Sequence, residues 1–244
     1  MGEALRLFYE RKYTAGAELP RSSKRYTIDC VPHGGSLDVL DVGCGVGLNS
    51  EAIRLKGHRV CGVDISRQAI EKYCARGFAG QVMDIEEGLG FPSDSFDLIF
   101  CSEVIEHTVA PESLAREMLR VLRPGGRLVL STPNSAFWPY RVLGLAGFTV
   151  GELQHPKHFQ FFSRRSLRRL LRGAGFREVE ALGRNMYLIV PAMPRPLRPL
   201  LTALGVEEEI RFRTGKPFWH LSTRSTLWNS LLADTLIFVL EKPA

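Results

Sequence analysis

The sequence predicts an α/β fold built on a doubly wound parallel sheet. Three observations carry this reading. Strand-like and helix-like stretches alternate five times between residues 37 and 132, a glycine-rich turn follows the first strand directly, and the next strands end in carboxylates. Alternation of this kind places helices on both faces of a parallel sheet, with ligands at the carboxyl edge of its strands.

The first strand is expected at 37–42 and runs into Gly43, Gly45 and Gly47 before a helix over 47–56. Glycine takes positive φ without a Cβ penalty and lets a ligand approach the loop backbone and the amides of the helix start. The turn is therefore shaped for a nucleotide-like cofactor. A dinucleotide fingerprint would need its third glycine at position 48, where the chain has Leu48.

The second strand, 59–64, ends in Asp64, whose carboxylate suits a pair of ribose hydroxyls. Ser66 is placed as the N-cap of a helix carrying Ala69, Ile70 and Tyr73 on its apolar face. Gln81 to Ile85 reads as a third strand ending at Asp84, placed to accept from an exocyclic amine while Ile85 covers the ring. The fourth strand, 95–102, has the continuous apolar character of a sheet centre and leads into Glu103-Val104-Ile105-Glu106-His107. Pro111 opens a helix with Leu114, Met118, Val121 and Leu122 as its core face, and Arg123-Pro124-Gly125-Gly126 turns the chain into a fifth strand at 127–132.

The ordered set of Asp41 with Gly43, Gly45 and Gly47, Asp64 with Ile65 and Ser66, Asp84, Phe96-Asp97-Leu98-Ile99, residues 103–107 and Leu122 to Gly126 resembles class I S-adenosylmethionine (SAM) dependent methyltransferases, closely over 37–132. The 103–107 stretch and the later His155-Pro156-Lys157-His158-Phe159 segment are similar to small-molecule methyltransferases that include the ubiquinone-biosynthesis O-methyltransferases. The resemblance implies a seven-stranded sheet whose last strand, at 234–240, runs antiparallel. It implies SAM as cofactor, held by Asp41, Gly43, Cys44, Gly45, Gly47, Asp64, Ile65, Asp84, Ile85 and Ser102.

Methyl transfer from a sulfonium needs alignment and exclusion of water more than acid catalysis, and a base only where the acceptor is a hydroxyl. His107, His155 and His158 are the candidate bases. Glu103, Glu106 and His107, at i, i+3 and i+4, would share one face of a single helical turn and could hold a divalent metal such as Mg2+, as similar arrangements in ubiquinone-type relatives do.

The domain reading is an N-terminal helical cap over 1–34 and a methyltransferase domain over 35–244, with cap insertions at about 134–162 and 185–222. Phe137, Trp138 and Tyr140 begin an apolar segment that is either a lid over a substrate pocket or a helix packed on the sheet. Prolines at 191, 194, 196 and 199 forbid a regular helix or central strand there and favour a rigid surface loop over a membrane-touching flap.

At 244 residues, with 45% hydrophobic and 24% charged residues, the chain has room for one large α/β domain with caps and carries no disorder signature. Five cysteines without a Cys-x-x-Cys pair read as core residues of a reducing compartment. The start lacks a secretory apolar core, and no apolar run approaches bilayer length, so the expectation is a cytoplasmic protein with peripheral membrane contact left open. The net charge of +6 draws much on Arg164, Arg165, Arg168, Arg169, Arg172 and Arg177. With Leu167, Leu170, Leu171 and Ala174 on the opposite face, these arginines read first as a solvated helix face.

The favoured activity is methyl transfer to a small molecule, at a hydroxyl oxygen of a quinone precursor, secondary metabolite or lipid-linked intermediate. A nucleic-acid or protein methyltransferase, a non-catalytic SAM-binding scaffold and a nicotinamide enzyme are the alternatives. Nucleic acid is disfavoured because the amino-methylating Asn/Asp-Pro-Pro-aromatic motif is replaced by Ser102-Glu103-Val104-Ile105.

Overall fold

The computed structural model describes residues 25–155, 157–185, 190–191, 206–211, 217–221 and 233–244. The described elements are α1 (Arg25–Asp29), β1 (Asp38–Val42), α2 (Leu48–Arg54), β2 (Arg59–Asp64), α3 (Arg67–Ala75), β3 (Ala79–Val82), β4 (Phe96–Ser102), α4 (Pro111–Val121), β5 (Leu122–Pro133), α5 (Trp138–Leu145), α6 (Val150–Leu153), α7 (Arg164–Gly173), β6 (Arg177–Asn185), β7 (Val190–Pro191), β8 (Val206–Arg211), β9 (Pro217–Leu221) and β10 (Ala233–Glu241). Seven strands form one sheet in the order β3-β2-β1-β4-β5-β10-β6. The first five pair in parallel, and β10 lies antiparallel between β5 and β6.

The apolar strands are buried on both faces, which is why they read as continuous runs. Successive side chains alternate: Leu40, Val42, Ile99, Cys101, Leu128 and Leu130 pack with Leu114 and Met118 of α4 and Leu167 and Leu171 of α7. Val39, Leu98, Phe100 and Val129 point the other way, onto Ile53 of α2 and Val31. α7 buries Leu167 and Leu171 while Arg165, Arg169 and Arg172 face outward. Arg168 instead grips Glu178 through two contacts of 2.6 and 2.7 Å.

The amino edge of the sheet is closed by charge. Arg123 bonds Asp97 at 2.6 Å and Asp38 at 3.2 Å, and Asp97 accepts the Asp38 amide. The carboxyl edge is left for the site. Strand order reverses between β1 and β4, so the loops after these two strands diverge and open a crevice there.

Two expectations are corrected, and one open alternative is narrowed. The third strand stops at Val82, two residues before Asp84, which instead caps a 3-10 turn over Ile85–Glu87 by accepting from the Glu86 amide. The apolar segment after β5 is not packed on the sheet: α5 buries none of its residues, and Val142 and Leu145 are 54% and 91% exposed. The proline-bearing region holds a small second sheet, β7-β9-β8, instead of loop alone. The 1–24 part of the N-terminal cap and Pro194, Pro196 and Pro199 lie outside the described residues. No helix among the described residues is long and apolar enough to cross a membrane.

Candidate active site

The cofactor half of the site is the turn after β1. Gly43, Gly45 and Gly47 all adopt positive φ. At Gly43 the need for glycine is double, because φ is +70° and an added Cβ would collide with the Val104 side chain of the neighbouring edge. At Gly47, the N-cap of α2, a Cβ would meet the Tyr73 ring at 2.9 Å. The loop thus sits directly on α3 and on the segment after β4.

Asp64 is buried and organises this turn. One carboxylate oxygen accepts the Gly45 amide and the other the Ser66 amide, each at 2.9 Å. Ser66 then caps α3 through the Ala69 amide, as its sequence position predicts. Asp41 is buried and accepts from Ser50 Oγ at 2.5 Å, and Ser50 lies 3.0 Å from the Tyr73 hydroxyl, so this chain of bonds ties β1 to α2 and α3. Burial, with Asp41 adding to it, pushes the Cys44 and Tyr73 protons well above their ordinary range and the Cys61 thiol up to about 11. Ile65 and Ile85 are half-buried beside the ends of β2 and β3, and Ser102 is buried against Ser131 at 2.8 Å.

The second half lies across the crevice, after β4. The helical turn expected to carry Glu103, Glu106 and His107 does not form as one unit. Glu103 adopts φ +59°, and a 3-10 turn starts only at Ile105. A non-glycine residue in the left-handed region costs about 1–2 kcal/mol, and such positions concentrate at functional edges. Glu106 is buried, and its Oε2 accepts from Thr132 Oγ1 at 3.0 Å.

The 154–162 connection returns over this same edge. The amides of Phe159 and Gln160 both donate to the Glu106 carbonyl, at 2.8 and 3.0 Å, and the Lys157 carbonyl lies 2.9 Å from His107 Nδ1. His107, His155 and His158 consequently cluster, with ring centroids 4.8 Å apart for His107 and His158, 5.6 Å for His155 and His158 and 6.1 Å for His107 and His155. Burial, with His107 and His155 adding to it, lowers the His158 pKa to about 4.

The hydrogen bonds differentiate the three rings. A carbonyl oxygen only accepts, so His107 donates from Nδ1 to Lys157, and His158 donates from Nδ1 to Gln154 Oε1 at 3.0 Å. With the proton on Nδ1, Nε2 is the acceptor nitrogen of each neutral ring. His155 is the reverse case: its Nδ1 accepts the Lys157 amide at 3.2 Å, which occupies the lone pair of its neutral form. His58 is buried far along the chain's other edge, against the Pro32 carbonyl and the Leu37 amide.

A methyltransferase-domain family model matches residues 6–181 of this chain. The chain belongs to that family. The match spans the glycine turn, Asp64 and the 103–107 stretch. A ubiquinone biosynthesis O-methyltransferase from Aromatoleum aromaticum is 34% identical over 155 residues, 59% of this chain and 66% of the relative. One of the same name from Coxiella burnetii is 39% identical over 110 residues, 42% of this chain and 46% of the relative. The chain therefore spans less than two thirds of the length of these relatives. Among solved structures, a methyltransferase from Burkholderia thailandensis bound to 1,6-didemethyltoxoflavin and S-adenosylhomocysteine superposes with a TM-score of 0.60 at 18% identity, covering 98% of this chain and 88% of that one. The [4+2]-cyclase SpnF superposes with a TM-score of 0.64 at 18% identity, covering 100% and 97%. These two share the fold, and a cyclase among them shows that the fold alone does not name the reaction.

Sequence reasoning missed the supports of this site. Val104 seals Gly43, Thr132 holds Glu106, and Gln154 orients His158. These partners are 26 or more residues from the groups they touch in two of the three pairs, and no spacing signal announces them.

Proposed function

We propose that this enzyme transfers the methyl group of SAM to a small-molecule acceptor, at a hydroxyl oxygen. The observation that carries the reading is the meeting of two lone-pair-bearing imidazoles, His107 and His158, with the buried Glu106 at the same sheet edge as the glycine turn. SAM would lie along the turn, with Asp64 toward the ribose, Asp84 and Ile85 toward the adenine, and the sulfonium methyl directed at the crevice between β1 and β4. The acceptor oxygen attacks the methyl carbon in line, the S–CH3 bond breaks, and sulfur leaves as a neutral thioether. The acceptor's proton must depart before or during attack, and the His107 edge is where the chain can promote its loss, with His158, whose basicity burial lowers, packed beside it.

The segment after β5 suits a cap for the acceptor. α5 presents Trp138, Val142, Leu143 and Leu145 to the outside, Phe148 follows, and Phe159 and Phe161 are exposed on the returning connection. A face this apolar favours an acceptor with a lipophilic or aromatic body, in keeping with the ubiquinone biosynthesis named for the relatives. Incubation with methyl-labelled SAM and a fractionated metabolite extract, followed by mass spectrometry, tests the proposal. A labelled small molecule bearing a new O-methyl group is expected; label appearing only in protein or RNA would refute it.

A further inference from the structure

α7 carries five arginines and no carboxylate. Arg168 is held by Glu178, whereas Arg165, Arg169 and Arg172 are exposed and form no ion pair among the described residues. Positions i, i+4 and i+7 bring these three into one stripe, about 10 Å from first to last. Two electrostatic costs attach to it. Like charges three and four residues apart repel, and Arg164 and Arg165 stand at the positive end of the helix dipole, where carboxylates are favoured.

We infer that this stripe docks an acidic helix of a partner protein, with Phe161 as the apolar contact at its start. That start lies at the carboxyl edge of the sheet: the Ser135 amide, just past β5, donates to the Phe162 carbonyl at 2.8 Å, and Ser163 caps α7. Phe161 is 41% exposed, and its ring lies over Gly151 of α6, which gives it a backing. Arginine and aromatic side chains are the types enriched where proteins meet.

The surroundings of the stripe favour a narrow acidic partner over a broad one. α7 packs beside α4, which exposes Glu112 in its first turn, and β6, tied to α7 by the Arg168–Glu178 pair, exposes Glu180. A duplex phosphate backbone or an anionic lipid layer would press its charges against these carboxylates too, and like charges placed opposite each other are unfavourable. An acidic helix lies along one line and can set carboxylates at the same i, i+4 and i+7 spacing opposite the arginines. Its charges also offset both costs, because they stand where the sequence of α7 supplies none. The surface is separate from the SAM turn and does not depend on which acceptor is methylated.

Two fluorescein-labelled helical peptides of equal composition, one with three glutamates at i, i+4 and i+7 and one with them spread around the helix, are titrated with the full-length protein while anisotropy is followed. The striped peptide should bind about 10-fold or more tighter, and its affinity should fall as salt rises. R169E should weaken it about fivefold or more, whereas R76E, the same charge change at the exposed C-cap of α3 on the β3 end of the sheet, should leave it within about twofold. A leucine added at one end of the striped peptide should tighten binding more than at the other, and F161A should remove the difference. The triple variant R165E/R169E/R172E should reject the glutamate stripe and bind its lysine counterpart. Glutamate is favoured at a helix N-terminus, so this variant should melt no lower than the parent. No binding of the striped peptide, equal binding of the two peptides, equal losses in R169E and R76E, or failure of the lysine peptide to bind the triple variant would overturn the docking surface. Tighter binding of a duplex RNA or of phosphatidylglycerol vesicles than of the striped peptide would overturn it as well.

Discussion

Replacing Asp64 by alanine should remove the cofactor turn and the cofactor's hold together. In the structure the carboxylate accepts two buried backbone amides, those of Gly45 and Ser66, each at 2.9 Å. A hydrogen bond to a charged group contributes about 1.5–3 kcal/mol net, so the pair represents about 3–6 kcal/mol, reduced where water replaces the lost acceptor. Asp64 is only 8% exposed, which limits that replacement. Taking the lower bound, the D64A variant should melt on the order of 6–12 °C lower. SAM must also rebuild the turn before binding, so its affinity should fall by at least about 100-fold, equivalent to about 2.8 kcal/mol. D64N keeps one acceptor oxygen and turns an amide donor toward the other N–H, so it should fall between parent and D64A on both measures. Calorimetric titration with SAM and a thermal melt report the two quantities separately. A D64A protein that melts with the parent and binds SAM within threefold would refute the assignment of both roles.

Four further outcomes follow from the same geometry. G43A places a Cβ at φ +70° against Val104, and should abolish SAM binding; a truncation of Val104 to alanine should restore part of it, and failure to do so would argue against the contact. L145S alters a residue that is 91% exposed, so it should leave the melting temperature and SAM affinity unchanged while raising KM for the acceptor; a lowered melting temperature would show α5 to be structural. Hydrogen bonds from Arg168 hold the Glu178 carboxyl below its ordinary range, partly opposed by burial and aided by the neighbouring arginines. A carboxyl whose folded pKa is depressed stabilises the fold above its unfolded pKa of about 4.3 and loses that contribution as pH falls through the lower folded value. E178Q should therefore be less stable than the parent near pH 7 and converge with it below about pH 4, and parallel melting curves across pH would contradict this. With a thiol reagent, exposed Cys74 should react first while buried Cys44, its proton held by burial, stays protected until unfolding; labelling of Cys44 in the native protein would overturn that placement.

Much of the fold was legible because parallel strands buried on both faces write themselves as unbroken apolar runs. Residues 59–64, the helix opened by Pro111 and the cap at Ser66 appear where their local signals put them. Asp84 shows the limit of such signals: its position after an apolar pair suggested a strand end, but the chain had already turned at Val82. At residues 103–107 the i, i+3, i+4 spacing was sound arithmetic applied to a helix that begins too late to include Glu103, whose backbone is set by the strand it leaves. The pairing of His107 with His158 was only half visible. Sequence could place both on the same sheet edge, but bringing them to 4.8 Å depends on the Glu106 carbonyl catching two amides more than fifty residues away. The aromatic content of α5 likewise could not say whether it faced the sheet or the outside, since burial depends on the partner and not on the residues alone.

If the turn at Gly43, Gly45 and Gly47 holds SAM and not a dinucleotide, the two ligands must bind differently. Parallel calorimetric titrations of the full-length protein with SAM and with NAD test it most directly. Saturable binding of one SAM per chain and no heat of binding with NAD are expected. Saturable NAD binding with none for SAM would contradict it.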